Sequence, residues 1–245
     1  AGLAISEKLR ADSRALSQAK RNNQDAISMI QTAEGGLQEI SNMLVRLKEL
    51  SVQAASDTIG NEERGFIQKE FSALKDEIDR TALSTEYNGT RLLTGVTPLP
   101  YDLIKESNSS PLEFQIGNNY IPSVDSLYNS NPVNIIRLDL TEMNAMTTGY
   151  GSLELGNIQD ENTEAGTTER TRVDTKQKAQ RSINVVDDAI NKVSSYRATL
   201  GAIQNRLTHA MSNSGVMIEN LEAGRSRIKD ADYAEESSNA VQFGI

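Results

Sequence analysis

The chain has 245 residues, with 34 acidic against 25 basic side chains, a formal charge of −9, and 4% aromatic residues with no tryptophan. That composition requires an aliphatic core, and the acidic balance argues against nucleic acid or an anionic membrane as partner. There is no cysteine, hence no disulfide framework and no thiolate metal site. Neither an apolar run of about 18 residues nor a basic-then-apolar leader is present.

Residues 1–10 (AGLAISEKLR) are already helix-like, with Leu3, Ile5 and Leu9 and no capping residue before them. The far end, with Val241, Phe243 and Ile245, stops without a breaker, so both ends read as cut and the chain as the core of something longer. From Ile27 the apolar positions Ile30, Leu37, Ile40, Leu44 and Leu47 continue one amphipathic helix, in phase across Gly35-Gly36. Residues 56–61 (SDTIGN) carry turn chemistry, with Asn61 expected as the N-cap of a second helix. That helix shows Phe66, Ile67, Phe71, Leu74 and Ile78 and fades by Ala82. Asn88-Gly89 then marks a tight turn before Leu92-Leu93.

Composition changes across about residues 95–168. All five prolines lie there, from Pro98 to Pro132, among many Asn, Ser and Gly. Two runs alternate as strands do, residues 112–116 (LEFQI) and 135–140 (IIRLDL), and residues 153–155 form a weaker third. The polar residues 160–175 read as a loop or the start of the last helix. This middle is a small β/loop module.

The dominant element spans residues 183–228. Val186, Ile190, Val193, Leu200, Ile203, Leu207, Met211, Ile218, Leu221 and Ile228 approach a heptad seam with no proline between them. At ~1.5 Å per residue the helix runs on the order of 70 Å, so its seam needs partners of similar length. Gly201, Gly215 and Gly224 each cost roughly 1 kcal/mol there, which predicts close backbone approach to neighbouring helices. Asp232 with Glu235 resembles a capping box, so a break after Ile228 and a new helix near Tyr233 are expected. The predicted fold is mainly α, an elongated bundle of long helices with a small β module. Its helical core is discontinuous, over 1–95 and 169–245, with the β/loop module at 96–168.

Catalytic chemistry has little to stand on. His209 is the one histidine, too few for a zinc-binding pair four residues apart. The pairs Glu62-Glu63, Asp187-Asp188 and Glu235-Glu236 are adjacent on helices, so their side chains diverge by about 100° instead of converging on a substrate. No catalytic residue, metal site or cofactor site is assigned.

Three stretches carry a resemblance. They are GLAISEKLRADSRALSQAKRN with IQTAEGGLQEI; LKELSVQAASDT with EIDRTALSTEYNGTRLL; and LGAIQNRL with RSRIKDADYAEESSNAVQFGI. Together they cover most of residues 2–95 and 180–245, and in that order they resemble bacterial flagellin. Departures are Gly36, where many members carry a small side chain, and Val45, where the family often has glutamine. The resemblance implies a structural subunit of the flagellar filament, not an enzyme, with a short middle segment in place of the family's variable region. It implies an extracellular location reached without a cleaved signal peptide. The partners it implies are other flagellin subunits in a helical homopolymer, an export chaperone and cap proteins. Terminal segments that drive polymerisation would flank the chain, so these residues alone are expected to be monomeric. Two alternatives share parts of the pattern. A hook-filament junction protein shares the terminal stretches, and a chemoreceptor-like signalling coiled coil shares the long helices but lacks a proline-bearing module.

The resemblance further implies recognition of the free monomer by a vertebrate toll-like receptor, through Arg46, Leu50 and Glu70. Arg46 and Leu50 are four apart and share a helix face. On a wheel of about 100° per residue Leu50 falls well round from the Leu37/Leu44/Leu47 stripe, so neither is expected in the core. A chain reversal near Ile59 sets Glu70 opposite Lys48, between the two.

Overall fold

The computed structural model describes residues 2–95, 111–119, 134–148, 151–156 and 171–243, with the backbone alone from residue 230. Three helices, α1 (Gly2–Ala54), α2 (Asn61–Ser84) and α3 (Lys176–Phe243), carry four short strands between the second and third. These are β1 (Glu86–Tyr87), β2 (Thr90–Arg91), β3 (Leu112–Gln115) and β4 (Ile135–Leu138). The strands pair as two separate ribbons, β1 with β2 and β3 with β4. Contacts divide the chain into two compact units. One comprises residues 1–28, 113–137 and 203–245, the other residues 29–112 and 138–202.

The second unit holds most of the core. Along α1 its buried residues are Ile30, Ala33, Leu37, Ile40, Leu44, Leu47, Leu50, Ser51 and Ala54. Steps of three and four keep them on one side of a helix, and a proline-free run lets the backbone continue unbroken through Gly35-Gly36. On α2 the buried set is Arg64, Ile67, Phe71, Lys75, Ile78 and Ala82, and on α3 it includes Ala179, Val186, Ala189, Val193 and Leu200. Lys48 pairs with Asp187 at 2.6 Å and Glu34 with Arg197 at 3.7 Å, so α1 and α3 run antiparallel here. Of the Gly35-Gly36 pair it is Gly36 that is close-packed, since a Cβ there would lie 2.5 Å from Thr85 Oγ1 and 2.8 Å from Leu93 Cδ1.

Beyond α2 the chain turns at Asn88 (φ 49°) and Gly89 (φ 80°), the left-handed pair that a two-residue hairpin demands. Leu92, Leu93, Leu138, Leu140, Met143, Leu153 and Leu155 then bury together. Ala145 N–H donates to Leu93 O at 2.8 Å and Gly95 N–H to Met143 O at 3.1 Å. Residues 153–155 make no strand, because Glu154 adopts φ 58° and the run cannot stay extended.

The first unit is leaner. Its α1 positions facing inward are Ser6, Ser13, Leu16, Ala19, Asn23 and Ala26, and those on α3 are Ile203, Leu207 and Ser214. Ser13 Oγ donates to Glu222 at 3.2 Å, and Asn22 Nδ2 to the β3 carbonyl of Gln115 at 3.2 Å. The seam residues Met211, Ile218, Leu221 and Ile228 are half-buried.

Four expectations need correction. Asn61 is the first residue of α2 and Gly60 its N-cap, with no side-chain cap. β4 stops at Leu138, short of Leu140. α3 does not break after Ile228 but continues to Phe243, since residues 229–240 contain neither proline nor glycine and Asp232 and Glu235 sit comfortably inside a helix. Of the three α3 glycines, a Cβ added to Gly201 or Gly215 would meet open space, and one added to Gly224 would sit an ordinary 3.9 Å from Leu9 Cδ1, so none marks close helix approach. The proline-rich residues 96–110 and 120–133 lie outside the described residues, as do residues 160–170 of the polar stretch.

Candidate functional site

Arg46 and Glu70 come together where α1 and α2 run side by side in the second unit, and Leu50 lies one turn further along α1. Arg46 Nε donates to Glu70 Oε1 at 2.9 Å, and Nη2 lies 2.8 Å from the same oxygen. Nη1 reaches Glu49, one turn along α1, at 3.0 Å. Both sides of the pair are open to solvent, with 48% and 47% of the side chains exposed. Hydrogen bonding to Glu70, then to Glu49, holds the Arg46 guanidinium above its ordinary range. Glu70 therefore meets Arg46, two residues from the level of Lys48, and Lys48 turns instead to Asp187.

Leu50 departs from expectation. It is 1% exposed and belongs to the core. The stripe of Leu37, Leu44 and Leu47 is the face α1 would bury against a single neighbour. With α2 and α3 both packed on it, α1 buries a wider arc, and Leu50, Ser51 and Ala54 all fall inside. Exposed apolar surface in this unit comes from Val45, Val52 and Phe66, with Lys69 Nζ 5.8 Å from the centre of the Phe66 ring.

Beneath this surface α2 carries a row of polar side chains that the sequence reading passed over. Arg64, 7% exposed, donates through Nε to Ala54 O at 2.8 Å, through Nη2 to Ser56 O at 2.9 Å and through Nη1 to Asn61 Oδ1 at 2.9 Å. It thereby satisfies the carbonyls where α1 ends and places a cation on the negative end of that helix. Gln68 Oε1 accepts Val173 N–H at 2.6 Å, and Lys75 Nζ donates to Thr171 O at 3.3 Å. Asp79 accepts both the N–H and the hydroxyl of Thr147 at 2.7 Å. Burial pushes the Asp79 carboxyl up, against the lowering effect of those two hydrogen bonds. The available signal was charge recurring at core spacing, since Arg64, Lys75 and Asp79 keep step with Ile67, Phe71 and Ile78. These groups hold main chain; none is arranged as a nucleophile with its base.

The comparisons with known proteins agree with this architecture. The family description "Bacterial flagellin N-terminal helical region" matches residues 1–97, and "Bacterial flagellin C-terminal helical region" matches residues 183–244. The flagellin of Bacillus subtilis (strain 168) is 40% identical over 250 residues, spanning 100% of this chain and 78% of that one. The crystal structure of Bacillus cereus flagellin is 28% identical with a TM-score of 0.56, covering 79% of this chain and 88% of that chain. A putative flagellar hook-associated protein from Vibrio parahaemolyticus shares the fold at 14% identity, with a TM-score of 0.64 over 91% of this chain and 95% of that chain. Two helical regions matched in sequence order around a short middle segment, with full-length identity at this level, place the chain in the bacterial flagellin family.

Proposed function

We infer that the chain is a structural subunit of the bacterial flagellar filament, an extracellular appendage, and acts by packing against copies of itself. The observation that carries this reading is the pair of flagellin helical regions, at 1–97 and 183–244, realised as the long helices α1 and α3. Open helical assemblies need heterologous contacts, in which one surface of a subunit meets a different surface of the next. Residues 96–168 stand in place of the family's variable region, and Thr147 within it is tied to Asp79 of α2. An export chaperone, cap proteins and export without a cleaved signal peptide belong to the same reading.

Immunogold labelling of sheared flagella with antibody to this chain tests it. The filament reading expects label along the whole filament. Label confined to the hook-filament boundary would instead support a junction protein.

Recognition of the free monomer by a vertebrate toll-like receptor would centre on Arg46 and Glu70, with Leu50 supporting α1 from below. The support is the exposure of that ion pair beside Val45 and Phe66. Arg46→Ala should weaken binding of purified receptor ectodomain. Undiminished binding by an Arg46→Ala, Glu70→Ala double variant would sink the idea.

A further inference from the structure

Asn88-Gly89 is the one Asn-Gly pair in the chain. It forms the tip of the β1–β2 hairpin, where Tyr87 pairs with Thr90 and Glu86 with Arg91. Both tip residues are exposed. Among the described residues no hydrogen bond holds the Asn88 carboxamide or the Gly89 N–H. A Cβ built on Gly89 would meet nothing within 4 Å, so the space around the Gly89 nitrogen is open. An unengaged electrophilic carbonyl and an unengaged backbone nitrogen are thus adjacent, with no side chain between them.

We propose that Asn88 is a self-modifying site, which converts to aspartate and isoaspartate through a cyclic imide formed with the Gly89 nitrogen. The Gly89 nitrogen, losing its proton, attacks Asn88 Cγ. The Cγ–Nδ2 bond breaks, and the nitrogen leaves as ammonia carrying that proton. Water then opens the ring at one of its two carbonyls. Opening at the former backbone carbonyl leaves the chain running through Cβ and Cγ, as isoaspartate, and opening at Cγ gives aspartate. Either product adds one negative charge to the tip.

The two products differ in what the hairpin tolerates. Aspartate, like asparagine, accepts the left-handed conformation at φ 49°. Isoaspartate lengthens the backbone of a two-residue turn by one atom, and such turns fix the register of their strands through length and type. The strain falls on the Tyr87–Thr90 pair and on the Leu92 N–H to Thr85 O bond of 3.1 Å behind it. Thr85 also covers Gly36, so the disturbance reaches the packing of α1.

The test is to hold the folded chain in warm, mildly alkaline buffer and follow residues 81–91, which trypsin releases between Arg80 and Arg91 with Asn88 as their sole asparagine. The acid form there should accumulate severalfold faster than at Asn213, an exposed asparagine followed by the buried Ser214 on α3. Equal rates at the two sites, or conversion at Asn88 only after denaturation, would overturn the proposal. Amide exchange at Leu92 should rise as isoaspartate accumulates and stay unchanged in an Asn88→Asp variant. Unchanged exchange in the isoaspartate form would overturn the register argument.

Discussion

Along α1 the same spacing of three and four runs through both units, but the residues set on it differ. In the second unit those positions are Ile30, Leu37, Ile40, Leu44 and Leu47, with Phe71 and Ile78 supplied by α2. In the first they are Ser6, Ser13, Leu16, Ala19, Asn23 and Ala26, with Leu16 the one large aliphatic side chain. Periodicity therefore sets helix direction in both, while side-chain volume sets how much each unit gains by folding. Each buried aliphatic side chain contributes about 1.5–3 kcal/mol, and a serine in its place contributes far less. The first unit should open locally at lower free energy than the second.

The sharpest challenge to that comparison is a matched pair of cavities. Phe71→Ala should cost about 3–5 kcal/mol, and Leu207→Ala in the first unit a smaller amount, nearer 2 kcal/mol, because a leaner surround collapses more readily. Denaturant melts giving the two equal costs would break the contrast. Next comes Arg64→Ala, which strands the carbonyls of Ala54 and Ser56 and should cost about 2–3 kcal/mol. Arg64→Lys should recover little, since one ammonium cannot reproduce three directed bonds.

In the first unit Asn23 is fully buried, and its carboxamide is bonded to no group among the described residues. Asn23→Leu should therefore stabilise by about 1 kcal/mol, read as slower amide exchange over the first half of α1. Destabilisation would mean the polar position is needed. The smallest effect concerns acid. Asp79 titrates above its ordinary 3.8 when folded, so the native state holds its proton more tightly than the unfolded chain. Its contribution to stability is full below 3.8 and is lost as pH rises through the folded value. Asp79→Asn should flatten that stretch of the stability curve, and an unaltered curve would assign the pH dependence elsewhere.

Much of this was legible beforehand because it rests on spacing. The helix-turn-helix of α1 and α2, the Asn88-Gly89 turn and the long seam of α3 all follow from periodicity and turn chemistry. Leu50 was misplaced because a helical wheel ranks faces but does not count neighbours, and a second packed helix widened the buried arc. The α3 glycines misled because a helix tolerates glycine for about 1 kcal/mol without any contact to compensate. Arg64 and Asp79 were hidden for another reason. Their partners are main-chain groups outside α2, the carbonyls of Ala54 and Ser56 for Arg64 and the Thr147 N–H for Asp79, and no helical spacing announces them.

Gly36 bears on mechanics. Thr85 and Leu93 close over a position that admits no Cβ, while one helical turn to either side α1 presents Thr32 and Ile40. Sliding α1 along its axis by a turn, about 5.4 Å, would drive one of those side chains into the hairpin. The glycine is in effect a keyway and the hairpin its key. Within this unit, slipping α1 by a turn therefore requires Thr85 and Leu93 to give way at that notch.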